Sequence, residues 1–194
     1  MMKKIKREDQ YIMDVNQEIN LGESIGLTAK VLKAFPAFKY KNYRLFFSGQ
    51  LISLVGTWLQ IVALGWLVLK LTNSAFWVGT ISALSLLPVL IFGIFGGVIV
   101  DRYNKKTILY ITQTLSMIFA LILGFLTVFN FINLWEIGIL AFLLGTVSAL
   151  DHPARQTFVV EMVGKEDLAS AIALNSTTFN ASRVIGPGVA GILI

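Results

Sequence analysis

LFFSGQLISLVGTWLQIVALGWLVL, residues 45–69, runs for 25 positions without a charged side chain. A helix needs roughly 20 apolar residues to cross the hydrocarbon core of a bilayer, so this stretch reads as a membrane span. The chain around it agrees: of 194 residues 56% are hydrophobic and only 14% charged, and the mean hydropathy is +0.74, well above the balance of a water-soluble domain. Bilayer is the expected solvent.

Working outward, Lys70 and the turn-forming Thr72-Asn73-Ser74 close the first span. Residues 75–100 are again uncharged up to Asp101, with Pro88 inside them; membrane helices accept such kinks because neighbours re-satisfy the freed backbone groups. Thr107 to Phe129 gives a third stretch, and Asn130 to Asn133 a tight reversal. The fourth, Ile137 to Leu150 between Glu136 and Asp151, is short alone and must draw its flanks into the interface. After the connector PARQTFVVEMVGKED, residues 153–167, a fifth segment from Leu168 to Ile194 is apolar but carries Asn175, Asn180 and Arg183. The expected architecture is all-α, a polytopic membrane helix bundle. Residues 1–43 form its leader, and 44–194 hold spans near 45–69, 76–100, 107–129, 134–153 and 168–194. The close on GILI, with no polar flank, reads as a truncation within the fifth span.

Sixteen Lys and Arg against eleven Asp and Glu give a net charge of +5. A nucleic-acid binder clusters such bases on one folded face; here they separate the apolar segments, so no nucleic-acid partner is expected. Nine precede the first span, three lie in 101–106 and two in 153–167, whereas the opposite loops hold only Lys70. Basic residues favour the cytoplasmic side, which puts the N-terminus inside. Trp77 and Trp135 then fall at the outer interface and Tyr40, Tyr43 and Tyr103 at the inner one. Residues 1–18, MMKKIKREDQYIMDVNQE, have a basic head but no apolar h-region, so no cleavable signal peptide is read. Leu27, Val31 and Phe35 recur at helical spacing with Lys30 and Lys33 turned away, which suits either a short helix on the anionic inner leaflet or a disordered basic leader ending at Pro36. With no Cys and a single His, and no paired carboxylates within the spans, there is little from which to build a hydrolytic or metal centre. Neither an enzyme nor a metal or cofactor site is expected.

GGVIVDRYNKK, residues 96–106, is the turn between the second and third spans. Positive-inside topology accounts for Arg102, Lys105 and Lys106, and Gly93 with Gly97 forms a GxxxG pair expected to let helices approach closely. It leaves Asp101 unexplained. At this point the residues resemble the loop 2/3 signature of the major facilitator superfamily, written G-x-L-A-D-R-x-G-R-K, over Gly97, Asp101, Arg102, Lys105 and Lys106. Asn104 stands where the family has Gly and is expected to preserve the turn through a left-handed backbone. Gly186-Pro187-Gly188-Val189-Ala190-Gly191 resembles the superfamily's Gly-Pro antiporter signature, with Ala190 replacing one glycine. NYRLFFSGQLISLVGTW, DHPARQTFVVEMV and ALNSTTFNASRVIGPGVAG look like the branch containing the enterobactin exporter and related drug and siderophore exporters. The resemblance covers about residues 40–194. It implies a protein of two six-helix halves, of which this chain supplies five spans of the first, with the C-terminal half as missing partner.

What the resemblance implies for function is a secondary active transporter exporting a small amphipathic molecule, siderophore- or drug-like, by alternating access, with the proton gradient as the expected energy source. An importer of the same superfamily and a non-transporting structural membrane protein are the alternatives. In that family the loop acid clamps a cytoplasmic gate, so Asp101 and Arg102 are expected to cluster with Arg155 and Glu161. Gly186, Pro187 and Gly191 would bend the fifth span. In the first span Gln50, Ser53, Thr57 and Gln60 recur at 3-4-3 spacing and share one helix face. That stripe faces either neighbouring helices or a watery substrate cavity. Ser176, Asn180 and Arg183 share a face of the fifth, and Arg183 lies about 22 Å along it from Leu168. A cation at that depth costs about 3 to 10 kcal/mol unless paired or hydrated, so Arg183 either attracts an anionic substrate group or is pinned to an acid elsewhere. Asp151 and His152 are the available pair for proton coupling, and each also reads as an interface anchor. Ala141 stands where many superfamily members carry an Arg, four residues before Gly145.

Overall fold

Lys41–Thr72 forms one uninterrupted helix, α1, that stops where Asn73 turns left-handed at φ 50°. The computed structural model describes residues 34–194; the leader up to residue 33, and with it the interfacial-helix expectation around Leu27 and Val31, lies outside the described residues. A 3₁₀ turn, Pro36–Lys39, precedes α1. Four more helices follow: α2, Ala75–Arg102; α3, Lys105–Val128; α4, Leu134–Val163; and α5, Leu168–Leu193. No strand occurs among the described residues, so the all-α expectation holds. Helices α1 to α4 are long and apolar enough to cross a membrane. The fifth is long enough at 26 residues, but Asn175, Asn180 and Arg183 interrupt its apolar run and it is not among the helices apolar enough to cross.

Two local expectations change. Asn104 is not left-handed: at φ −65° and ψ 116° it is the N-cap of α3, its side-chain oxygen accepting the Thr107 N–H at 3.2 Å. Capping satisfies one of the helix's four orphan donors, and this gives the residue a use that glycine lacks. The stretch 153–167 is helical as far as Val163, because α4 runs straight through Pro153. The fourth helix is therefore 30 residues long, and Arg155, expected in the connector, lies within it together with Asp151.

The helices pack chiefly as α2 on α4, α3 on α4 and α1 on α5. Small residues set those contacts, as they do where lipid removes any hydrophobic drive for helices to associate. A Cβ on Gly145 would lie 2.1 Å from the Ser85 carbonyl oxygen, and one on Gly96 would lie 2.4 Å from that of Ala149. The α2–α4 approach thus rests on Gly96 and Gly145 rather than on the expected pair. A Cβ on Gly93 or Gly97 would meet nothing within 4 Å; Gly97, one residue on from Gly96, is turned about 100° away from α4. On the α1–α5 side the tight glycine is Gly186, 2.5 Å from Trp58 Cβ by the same measure. Outward faces are apolar: Leu90, Ile94, Trp135 and Ile192 are each at least 80% exposed, the surface expected of helices whose solvent is lipid.

Candidate functional site

One turn before the buried Ala154, α4 carries a carboxylate that its neighbours enclose. Asp151 is only 8% exposed. Arg155, one turn further along α4, donates from Nε to Asp151 Oδ2 and forms an ion pair with it. From α3, Thr112 Oγ1 donates to Asp151 Oδ1 at 2.6 Å and Gln113 Nε2 donates to the same oxygen at 2.9 Å. The amide oxygen of Gln113 accepts in turn from Ser53 Oγ of α1 at 3.1 Å. One acid thereby gathers donors from two helices and reaches a third through the amide. Burying an ion pair repays its desolvation only when its remaining lone pairs are also satisfied, and here both carboxylate oxygens are.

Beside this network a cleft of about 840 Å³ opens between α1, α3 and α4, with Gln50, Ser53, Lys106, Gln113, Arg155 and Glu161 among its lining residues. Gln50 Oε1 is buried there without a protein partner. At the basic end Lys105 pairs with Glu161 at 3.2 Å, and Lys106 Nζ lies 5.9 Å from the Tyr110 ring centre.

The expected cluster of Asp101, Arg102, Arg155 and Glu161 is not assembled. Arg155 takes Asp151 and Glu161 takes Lys105, while Asp101 and Arg102 are exposed and in no ion pair among the described residues. The physical reason is proximity: residues four apart on a helix are neighbours, so Arg155 has a carboxylate on its own helix with no loop to order. That i, i+4 spacing is the signal in the sequence that could have found the pair. Thr112 and Gln113 had no such signal, since nothing in α3 separates them from its other polar residues. His152 is adjacent to Asp151 in the chain but exposed, because consecutive helical residues point about 100° apart.

The polar stripe of α1 divides. Gln50 and Ser53 line the cleft, whereas Thr57 donates to the Ser53 carbonyl of its own helix at 2.9 Å and is exposed; Gln60 is half-buried. On α5, Ser176, Asn180 and Arg183 are exposed on the side away from the buried Ala171, Leu174, Thr178 and Ser182. Asn180 donates to the Ser176 carbonyl at 2.8 Å, and the Arg183 guanidinium lies 5.6 Å from the centre of the Trp58 ring. A cation over an indole face is attracted by the ring quadrupole, so Arg183 has an aromatic partner in α1 rather than an acid. Through Pro187 the helix continues unbroken; Gly186 is explained by the α1 crossing, and a Cβ on Gly191 would meet nothing within 4 Å.

At the basic end the 3₁₀ turn clasps the start of α5. Asp167 accepts from Tyr40 Oη at 2.9 Å and pairs with Lys39 at 2.6 Å, and the Ala37 N–H reaches Ser170 Oγ at 3.4 Å. The hydrogen bond that Lys39 donates to Asp167 raises the Lys39 pKa above its ordinary value. The same bond, aided by Tyr40, holds the Asp167 carboxyl below its own against the opposing effect of burial. Tyr43, expected at the membrane interface, is instead fully buried and donates to the Ala171 carbonyl at 3.2 Å.

Residues 32–194 match the family model described as transmembrane secretion effector. The chain belongs to that family of major facilitator transporters. Among curated proteins it is 33% identical over 150 residues to the staphyloferrin A transporter of Staphylococcus aureus (strain NCTC 8325 / PS 47), an alignment covering 77% of this chain and 38% of that protein. To the enterobactin exporter of Shigella boydii serotype 18 it is 29% identical over 173 residues, covering 87% and 39%. To macrolide efflux protein A of Streptococcus pyogenes it is 26% identical over 159 residues, covering 80% and 39%. The chain thus spans about two-fifths of the length of these relatives. No solved structure matches it. Family membership carries a membrane location.

Proposed function

We propose that the chain is the gating and coupling part of a secondary transporter that exports a small amphipathic organic molecule, siderophore- or drug-like, by alternating access driven by protons. The observation that carries this reading is Asp151, an acid 8% exposed inside a span-length helix and held by Arg155, Thr112 and Gln113. Ionisable side chains within membrane helices are expensive, and those that persist mark ion pathways and proton relays. Asp151 also contacts the cleft through Gln113 and Arg155, so a change in its charge acts where a substrate passes. Export is the direction named for the enterobactin and macrolide relatives, and it is the direction assigned here.

The basic end is the cytoplasmic one on this reading, since it gathers Lys105, Lys106, Arg155 and Lys165. Lys105 and Glu161 form a gate pair there, and the exposed Asp101 and Arg102 face the second half of the transporter. Arg183, over Trp58 rather than in an ion pair, supplies an anion-attracting point for a carboxylate or catecholate.

Reconstitution of the full-length transporter into liposomes with an imposed pH gradient tests this. With Asp151→Asn, gradient-driven flux is lost while substrate exchange at equal pH persists. Gradient-driven flux at the native rate in Asp151→Asn would refute the assignment. Arg183→Gln separately lowers affinity for anionic but not for neutral substrates; equal losses for both would remove the anion role.

A further inference from the structure

Gln113 occupies a place where an amide can do something a simple donor cannot. Its nitrogen donates to Asp151 and its oxygen accepts from Ser53, so the donors run in one direction, from α1 through α3 to α4. The other serine and threonine hydroxyls of α1 with hydrogen bonds, Ser48, Thr57 and Thr72, each donate to a carbonyl of their own helix, the usual arrangement for Ser and Thr within helices. Ser53 is spent across the helix interface instead. One turn before it, Gln50 Oε1 is buried with no protein partner, an acceptor left open beside a serine hydroxyl whose direction depends on another helix.

We propose that Gln113 is a positioning residue that passes the protonation state of Asp151 to the cleft-lining face of α1 by reversing its amide. The proposal rests on the reading of Asp151 as the proton-coupling acid. With Asp151 ionised, the chain stands as observed. When a proton from solvent adds to Oδ1 on the side of Gln113, that oxygen becomes a donor there while Thr112 keeps donating to its remaining lone pair, and the Gln113 nitrogen no longer has an acceptor. A half-turn of the amide presents Gln113 Oε1 to the new O–H and turns Nε2 toward Ser53 Oγ. The Ser53 hydroxyl, now an acceptor, swings its own proton to Gln50 Oε1, three residues back and a neighbour on the same helix face. No covalent bond forms or breaks apart from the O–H gained by Asp151; Gln113 and Ser53 exchange donor for acceptor toward each other, Thr112 and Arg155 go on donating to the carboxyl, and the orphan acceptor of the observed state gains a partner. The outcome is that Gln50 and Ser53 offer a substrate in the cleft different polarity in the two charge states.

Other charges facing Asp151 hold still through this change. On α4, Arg155 remains on Oδ2, and the Glu161 pair with Lys105 of α3 lies two to three turns further along. Lys106 of α3 lines the cleft, Asp101 and Arg102 of α2 are exposed at the helix end, and α1 has no charged residue between Arg44 and Lys70. On α5 the cation is Arg183, which lies against Trp58. Titration of Asp151 is therefore reported to α1 through Gln113 alone.

The test uses the full-length transporter in liposomes, in a background with no other cysteine, carrying a spin label on Gly49→Cys. Gly49 lines the cleft one turn before Ser53, and a Cβ there meets nothing within 4 Å. Infrared titration follows the protonated carboxyl band of Asp151, identified by its loss in Asp151→Asn. The expected result is a label spectrum that changes with the same midpoint as that band. In Gln113→Met, of similar size but unable to relay, the band still titrates and the label no longer responds. Ser53→Ala gives the same silence and Ser53→Thr, which keeps the hydroxyl, restores the response. A label that follows pH equally in Gln113→Met and Ser53→Ala overturns the relay. Absence of any titrating Asp151 band in the unmodified protein overturns instead the proton-coupling reading, and the relay with it.

Discussion

Replacing Asp151 with Ala should be among the most damaging single changes in this bundle, and the structure gives its size. The side chains of Asp151 and Arg155 are 12% and 15% exposed, so water screens the pair little. Deleting the carboxylate strands the Arg155 guanidinium, the Thr112 hydroxyl, itself 2% exposed, and the Gln113 amide nitrogen. Breaking a buried ion pair by removing one partner costs about 3–5 kcal/mol. For a chain of this length each kcal/mol moves the melting temperature by about 2–4 °C, which places the expected fall near 10 °C. Thermal unfolding in detergent, followed by loss of helical circular dichroism, measures it. The decisive comparison is the cycle of Asp151→Asn, Arg155→Gln and both together. Removing both charges leaves no uncompensated ion, so the double variant should be more stable than the sum of the single losses implies, by about 2 kcal/mol or more. Additive losses, or an Asp151→Ala cost below about 1 kcal/mol, would refute the buried-pair account.

Other outcomes follow from the same contacts. Gly145→Ala must push the Ser85 carbonyl back by more than 1 Å from the 2.1 Å separation it would have, and overpacking of that kind costs about 1–3 kcal/mol; Gly97→Ala, with open space around it, should leave the melting temperature unchanged in the same detergent assay. Gly186→Ala likewise collides with Trp58 and should loosen α1 from α5, read as lost cross-linking between cysteines placed on the two helices, whereas Gly191→Ala should cross-link as the parent does. The Lys39–Asp167 clasp has a pH window set by its two shifts: the raised Lys39 contributes below its ordinary value of 10.5 and is lost as pH rises through the folded pKa above it, while the lowered Asp167 contributes above its ordinary 3.8 and is lost as pH falls through the folded pKa below it. Spin labels at Phe35→Cys and Glu166→Cys should keep one short distance from about pH 5 to 9 and spread outside that range, and Asp167→Asn should spread it throughout.

Residues 45–69, and the repeated pattern of apolar runs between basic turns, were enough to settle the helical, membrane-spanning character of the chain, because length and absence of charge are properties of a segment taken alone. The turn at Thr72-Asn73-Ser74 and the reversal at Asn130 were legible for the same reason, each being a local backbone preference. Which glycine touches a neighbour was not: Gly93, Gly96 and Gly97 stand within five residues of one another, and only the rotation of α2 against α4 selects Gly96. Nor could the chain alone assign Arg155. Its i, i+4 spacing from Asp151 was visible, but that the pair is desolvated and completed by Thr112 and Gln113 required α3 to pack on α4. Periodicity shows which residues share a face; the partner of that face is decided by tertiary packing, since burial and hydrogen bonding across helices are set by how the helices cross. Asp151 looks from the sequence like a charge at a membrane boundary, and it becomes a held, nearly dry carboxylate only when three helices close around it.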